Sequence, residues 1–240
     1  MYHTSSDKMS ERVKSLLLGA VALFIAIPAM AQVGHDPARS PYTDLEYNQE
    51  FTLLGGYLRT RHDPAGIAPQ SSPMLGVRYE LTLAGPLALS SDLFGAHTTR
   101  DVIDPLRPAK TRAIGTQNNL ELGADIALAM NLTGRKSWHS LVPQIRGGIG
   151  LIRNSAKDDS SGFAIGTPLA FSYGFGVKFV PGGRYQIRAD LSDHVFKLTY
   201  PDAYYRLASD NTSVVDAGSL KSFYTHHTGL TIGVSYLFAK

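Results

Sequence analysis

The residues best suited to chemistry lie in the last third of the sequence. Asp193-His194 and His226-His227 put three imidazoles beside a carboxylate. The segments that carry them read as antiparallel neighbours, so the four can meet at one end. A histidine oriented by a carboxylate is a general base, and Ser90 or Ser91 would be its nucleophile. No spacing here forces nucleophile, base and orienting group into hydrogen-bond reach, and the His/Asp spacing matches no defined zinc motif. No catalytic residue, metal ligand or cofactor is therefore assigned, and the histidines are read as polar residues of a rim. Gly147-Gly148-Ile149-Gly150 and Gly174-Phe175-Gly176 lie inside strand-like runs, so they are small wall residues, not phosphate cradles. A second set does carry chemistry, that of ion pairing: Glu50, Arg78, Glu80, Asp92, Glu121, Asp125, Arg146, Lys178, Arg188 and Asp190.

The elements that position this set show in residues 74–95, MLGVRYELTLAGPLALSSDLFG. Leu75, Val77, Tyr79, Leu81 and Leu83 take every second place, with Gly76, Arg78, Glu80 and Thr82 between them. Ala84-Gly85-Pro86 then breaks the run, and alternation resumes. A period of two with a turn inside it is a β-hairpin. Eight such segments follow one another, at about 48–59, 74–83, 87–97, 118–130, 139–152, 168–180, 184–198 and 225–238. No amphipathic helical pattern interrupts them, so the class is all-β and antiparallel.

The connections alternate in length. Ala84-Gly85-Pro86, the stretch Asn131 to Trp138 and Pro181-Gly182-Gly183 are short, whereas 60–73, 98–117, 153–167 and 199–224 are long and polar. Tight turns at one rim and long loops at the other describe an up-and-down barrel. A Greek-key sandwich has no reason to alternate so regularly.

Two eight-stranded barrels fit, one with its apolar face inside and one with it in lipid. Side-chain size decides. One face carries Leu169, Phe171, Tyr173, Phe175, Val177 and Phe179, or Leu230, Ile232, Val234, Tyr236 and Phe238. The other carries Ala170, Ser172, Gly174, Gly176 and Lys178, or Gly229, Thr231, Gly233 and Ser235. A lumen of eight strands has room for side chains only, and the aromatic set would overfill it. The small, charged face therefore points inward. Its four bases and six acids nearly balance, as buried charges must. The two surplus acids are expected near a rim or protonated. Trp138, Phe179, Tyr185, Tyr236 and Phe238 near the short turns, and Tyr57, Phe196, Tyr200, Phe223 and Tyr224 near the long loops, are placed as two interfacial aromatic girdles.

Lys8, Arg12 and Lys14 precede an apolar run from Leu16 to Ile27, then Pro28 and Ala29-Met30-Ala31. This is the pattern of a cleaved export signal, with Met1 or Met9 as the start, and the run is too short to span a membrane as a helix. The expected organisation is a signal peptide at 1–31, a polar lead at 32–47 and a barrel domain at 48–240. The chain has no cysteine, which excludes disulfides, thiolate catalysis, Cys-based zinc sites and an N-terminal lipidated Cys. A net charge of +3 spread along the chain gives no support to nucleic-acid binding.

The C-terminal Thr231-Ile232-Gly233-Val234-Ser235-Tyr236-Leu237-Phe238 resembles the β-signal of bacterial outer-membrane proteins, with Thr231, Gly233, Tyr236 and Phe238 at its marked positions. Together with the export signal and eight strands, the chain resembles the small outer-membrane β-barrel superfamily typified by outer-membrane proteins A, W and X. The resemblance covers residues 48–240 and rests on pattern. Ala239 and Lys240 after the terminal aromatic depart from it.

This resemblance implies an eight-stranded antiparallel up-and-down transmembrane β-barrel, inserted by the barrel-assembly machinery and monomeric. Its loops would be extracellular, its termini periplasmic, and its neighbours outer-membrane lipid and lipopolysaccharide. The role it implies is structural or loop-mediated binding, without enzymatic activity. A lipid A-modifying barrel enzyme and a narrow solute channel remain the alternatives.

Overall fold

The computed structural model describes residues 40–155, 163–216 and 218–240; the expected signal peptide and the first half of the lead lie outside them. Ten strands form one antiparallel sheet: β1 (Tyr42–Asp44), β2 (Gln49–Thr60), β3 (Ser72–Ala84), β4 (Leu87–Ile103), β5 (Ala113–Asn131), β6 (Lys136–Trp138), β7 (Leu141–Asn154), β8 (Leu169–Phe179), β9 (Tyr185–Thr199) and β10 (Ser222–Phe238). Eight of them close on themselves. Each of β2, β3, β4, β5, β7, β8, β9 and β10 pairs with the next, and β10 returns to β2 over Phe238↔Gln49 to His227↔Thr60. The fold is thus a closed eight-stranded, all-antiparallel up-and-down β-barrel, as the alternation predicts.

The period-two pattern sets which way each side chain faces. Along β8 the burial alternates strictly from Leu169 outward to Lys178 inward, and along β10 it does so from Thr225 inward to Val234 outward. Leu75 is 74% exposed and Ile232 65%, whereas Arg188 and Glu80 are 1% and 2% exposed. The barrel is therefore apolar outside and charged inside. Burial of one large apolar side chain is worth about 1.5–3 kcal/mol, so a belt of this size in water would forgo tens of kcal/mol. Soluble monomers rarely expose contiguous apolar patches beyond a few hundred Å2.

Three expectations need correction. Strands β4 and β5 run beyond 87–97 and 118–130 to make a tall hairpin, which shortens the connection expected at 98–117. Its upper part carries polar residues on both faces (Thr98, Thr99, Arg100, Asn118, Asn119), so hydrophobic alternation vanishes while the ladder continues. The stretch 131–138 is more than a turn. Its β6 pairs with β1 of the lead over Tyr42↔Trp138 to Asp44↔Lys136, at the short-turn rim.

The upper girdle is also incomplete. Tyr57 and Tyr224 face out at 50% and 61% exposure, but Phe196 and Tyr200 are 1% and 3% exposed. Phe196 falls on the inward parity of β9, and Tyr200 folds into the loops. Phe223 is half-buried against the clusters that hold them. At the lower rim Trp138, Phe179, Tyr185 and Tyr236 are exposed and Phe238 is half-buried.

All four long connections pack into one cap over the upper end. Ile67, Ile103, Phe163, Tyr200, Tyr204 and Val215 form a buried cluster in which the Tyr200 and Tyr204 rings stack at 5.4 Å. Tyr200 donates to Asp63, and burial together with that bond holds its phenol above the usual range. Arg112 donates to Ser213 O at 3.1 Å, and Ala109 N–H to Asp210 at 2.8 Å, tying the β4–β5 connection to the β9–β10 connection.

The seam that closes the barrel is tight at its glycines, Gly56 on β2 and Gly233 on β10. A Cβ at Gly233 would lie 2.7 Å from Leu54 Cδ2 and 2.8 Å from Leu53 O on β2. Gly233→Val is therefore expected to cost about 1–3 kcal/mol in a urea unfolding titration of the folded protein. Gly85→Ala, at a turn glycine with φ of 53° and open space around it, should leave the seam intact and act only through turn strain.

Candidate functional site: the lumen and its two rims

The register creates an electrostatic problem inside the barrel. Glu50 stands opposite Glu80, Asp92 opposite Asp125, and Lys178 opposite Arg188. Like charges directly opposed on adjacent strands repel. Relief comes partly along the wall, where Asp92 stands opposite Arg78 on the adjacent strand, and partly from bases further round the ring. Lys178 Nζ reaches Glu50 at 2.9 Å and Glu80 at 2.5 Å, and Arg188 Nη1 reaches the same two at 2.6 and 2.8 Å. Arg146 binds both Asp92 and Asp125, the second at 3.4 Å. Each like-charged acid pair is thereby bridged by bases of β7, β8 or β9.

The division of sign follows the strands. Five of the inward acids sit on β2 to β5 (Glu50, Glu80, Asp92, Glu121, Asp125), and Arg146, Lys178 and Arg188 sit on β7 to β9. Arg78 and Asp190 stand on the opposite halves from their kind, and they pair with each other at 3.1 Å. Arg78 Nε also donates to Asp92, while its contact with Glu80 on its own strand is 3.9 Å. Gln144 and Gln186 extend the network: Gln144 Nε2 donates to Glu80 at 3.1 Å, and Gln186 Nε2 to Glu50 at 2.6 Å. All ten charged residues singled out from sequence lie inside the barrel, each 8% exposed or less.

The surplus acids are neither at a rim nor alone. His194 Nε2 lies 3.0 Å from Asp125, and His227 Nδ1 lies 2.7 Å from Glu121. A formal count with neutral histidines misses these partners. Their parity was available: His227 and Thr225 share a face with Gly229 and Thr231, and His194 shares one with Asp190 and Ser192. Each imidazole also lies against an aromatic ring, Phe94 at 4.9 Å and Phe196 at 4.7 Å. Phe94 belongs to an apolar layer with Leu58, Met74 and Ala96 that crosses the lumen interior. Gly123 makes room for this ring, since a Cβ there would meet Phe94 Cζ at 2.1 Å.

The catalytic candidates separate. Ser90 points inward and donates to Asp92 at 3.3 Å, and Ser91 faces out on β4. The hydrogen-bond partners of His194, His226 and His227 are Asp125, Asp193 and Glu121, and neither serine is hydrogen-bonded to these histidines among the described residues. His226, unlike its neighbour, faces outward, with Nδ1 2.6 Å from Asp193; Tyr173 and Thr228 also donate to that carboxylate, at 2.6 and 3.2 Å. Among the described residues no group of three or more acidic or histidine side chains could hold a metal ion.

Beneath the ion pairs, at the short-turn end, lies a cavity of about 210 Å3. Residues 43–47 line one side of it, with Pro181-Gly182-Gly183, Glu50, Lys178 and Gln186 on others. The lead thus folds against the lower mouth of the barrel, as the loops fold over the upper one.

No protein-family model matches the chain, and no curated protein matches it. Among solved structures, the chain is similar to neisserial surface protein A (10% identity, TM-score 0.46, 83% of this chain and 98% of that one). It is similar to OprG, an outer-membrane protein of Pseudomonas aeruginosa (14% identity, TM-score 0.48, 81% and 98%). It is also similar to Ail, an outer-membrane protein of Yersinia pestis (16% identity, TM-score 0.40, 80% and 100%).

Removing one partner from this lumen should cost far more than removing a surface charge. Arg146→Ala is expected to leave Asp92 and Asp125 short of a cation and to destabilise the barrel by about 3–5 kcal/mol. Lys221→Ala, which breaks a loop pair with Asp202 at 2.8 Å between side chains 70% and 75% exposed, should stay within about 1 kcal/mol. Denaturant titrations of both variants make the comparison.

Proposed function

We propose that the chain is an exported, monomeric outer-membrane barrel without enzymatic activity, and that its role is structural or binding through the outer surface of its loop cap. One observation carries this reading. A closed barrel exposes a continuous belt of Leu, Ile, Val, Phe and Tyr while burying its charges, the reverse of a barrel built for water and the architecture of outer-membrane proteins. The signal pattern at 1–31 is consistent with export. Thr231, Gly233, Tyr236 and Phe238, on the strand that closes the barrel, are assigned to recognition by the assembly machinery. In this orientation the long connections are extracellular, and both termini lie on the periplasmic side.

The channel alternative is disfavoured by the lumen itself. Charges cross-link its lower half, the Phe94 layer follows above them, and packed segments lie at both mouths. Eight strands leave no spare bore for a solute once such side chains fill it. For an enzyme, the Asp193–His226 pair on the outer wall supplies a base and its orienting group but no nucleophile.

Fractionation and gel mobility test the location. The protein should appear in the outer membrane and migrate faster unheated than heated, since a closed barrel resists detergent. Recovery from the periplasm without detergent would return the soluble-barrel reading. Phe175→Arg is expected to cost about 2–4 kcal/mol on refolding into vesicles if the site lies at mid-bilayer. In a planar bilayer the protein should give no steady conductance, and large regular current steps would put the channel first.

A further inference from the structure

Above the apolar belt, the outer wall carries an uneven distribution of charge. On β2, Arg59 is exposed and faces out, and Arg61 follows one residue past the end of that strand. Arg59 pairs across with Thr228 of β10, and Thr228 with Asp193 of β9. Lys197, two rows higher on β9, stands opposite Tyr224. Neighbouring strands lie about 4.8 Å apart, so the three cations occupy one face three strands wide. The row directly beneath them is apolar and aromatic: Leu191, Leu230 and Tyr57.

None of these three cations has an ion pair or a side-chain hydrogen bond among the described residues, although other exposed cations do. Lys221 holds Asp202 at 2.8 Å, Arg107 holds Asp104 at 3.2 Å, and Lys136 holds Asp44 at 3.7 Å. Asp193, the carboxylate nearest the patch, is already engaged by Tyr173, His226 and Thr228. Grouped like charges are left to repel one another unless an anion from outside joins them. Arg59 stands one row above the belt, at the height where the headgroups of the outer leaflet begin, and Arg61 and Lys197 stand progressively higher. Arginine and lysine are the residues that grip phosphate oxygens.

We propose that Arg59, Arg61 and Lys197 form a binding site for the phosphate groups of an outer-leaflet glycolipid, whose acyl chains lie along the apolar wall of β9, β10 and β2 beneath them. The proposal rests on the outer-membrane reading and assigns one face of the barrel to one lipid. His226, held by Asp193, borders the site and presents its remaining ring nitrogen beside the cations.

The test uses the full-length mature protein folded in a neutral detergent, with native mass spectrometry counting bound lipid. The probes are bisphosphorylated lipid A and the same lipid A after phosphatase treatment. The unmutated barrel should retain the phosphorylated form and hold the dephosphorylated form roughly 100-fold more weakly. Arg59→Gln/Arg61→Gln/Lys197→Gln should lose the phosphorylated form by a similar factor, and Lys197→Gln alone by roughly five-fold. Arg153→Gln, on β7 at the same rim but outside the patch, should bind as the unmutated protein does. Heat-modifiable mobility verifies that each variant is folded, and the single variant decides if the triple one is not. Equal binding of the two lipids, or unchanged binding by a folded Lys197→Gln and triple variant, overturns the site while leaving the outer-membrane reading in place. A protein that is soluble and monomeric without detergent overturns both.

Discussion

The barrel depends on opposite charges facing each other across its lumen. Neighbouring strands present like charges to one another, Glu50 beside Glu80, Asp92 beside Asp125 and Lys178 beside Arg188, so no isolated part of the wall is electrostatically content. Strands β2 to β5 alone would gather five inward acids against two buried arginines, Arg78 and Arg100. Strands β7 to β10 would gather three permanent bases and two histidines around a single aspartate. Each half is unfavourable until the other faces it. Closing β10 onto β2 then satisfies Arg188, Lys178 and Glu50 together. A buried ion pair is weak evidence for net stability, since desolvation offsets much of its attraction. Its stronger effect is on specificity. A one-residue slip would turn every charge of a strand to the outer face, so the network penalises each wrong register.

The same constraint explains the outer face. Once long charged residues and glycines fill the interior, the bulky residues have nowhere to go but out. Gly123 gives way to Phe94, and Gly176 lies so near Asp190 that a Cβ would meet its Oδ1 at 2.3 Å. Interior volume is allotted residue by residue, and the apolar belt is its complement. What makes this chain unsuited to water as a monomer is thus the consequence of how its inside is packed.

Wherever one face was consistently apolar, the sequence was transparent. The hairpin 74–95 is where its alternation places it, and Arg78 and Glu80 are inside as their parity requires. Legibility failed where that contrast fades. The upper parts of β4 and β5 are polar on both faces and read as loop. Phe196 was assigned by its type to a girdle, although its parity on β9 puts it with Asp190 and His194 inside. His194 and His227 were read as rim residues because their spacing matches no metal motif and forces no catalytic geometry, although their parity on β9 and β10 puts them inside. The β1–β6 pairing and the packing of the loops join segments far apart in sequence, and no local period encodes such contacts.

These missed features bear most on function. The lumen is cross-linked by charged side chains, and packed segments lie at each mouth. The chemistry left to such a molecule is on its surfaces. The loop cap is braced from within by Tyr200, Tyr204 and Phe163, which removes much of the freedom expected of separate long loops and makes the cap a surface of defined shape. The outer wall also carries Arg59, Arg61 and Lys197 grouped on the face made by β9, β10 and β2. A scaffold whose interior is committed to holding itself shut can change its exterior without disturbing its closure. Substitutions that alter binding are therefore separable from those that alter folding, and the dividing line follows the alternation of the strands: inward positions govern whether the barrel exists, outward ones what it meets.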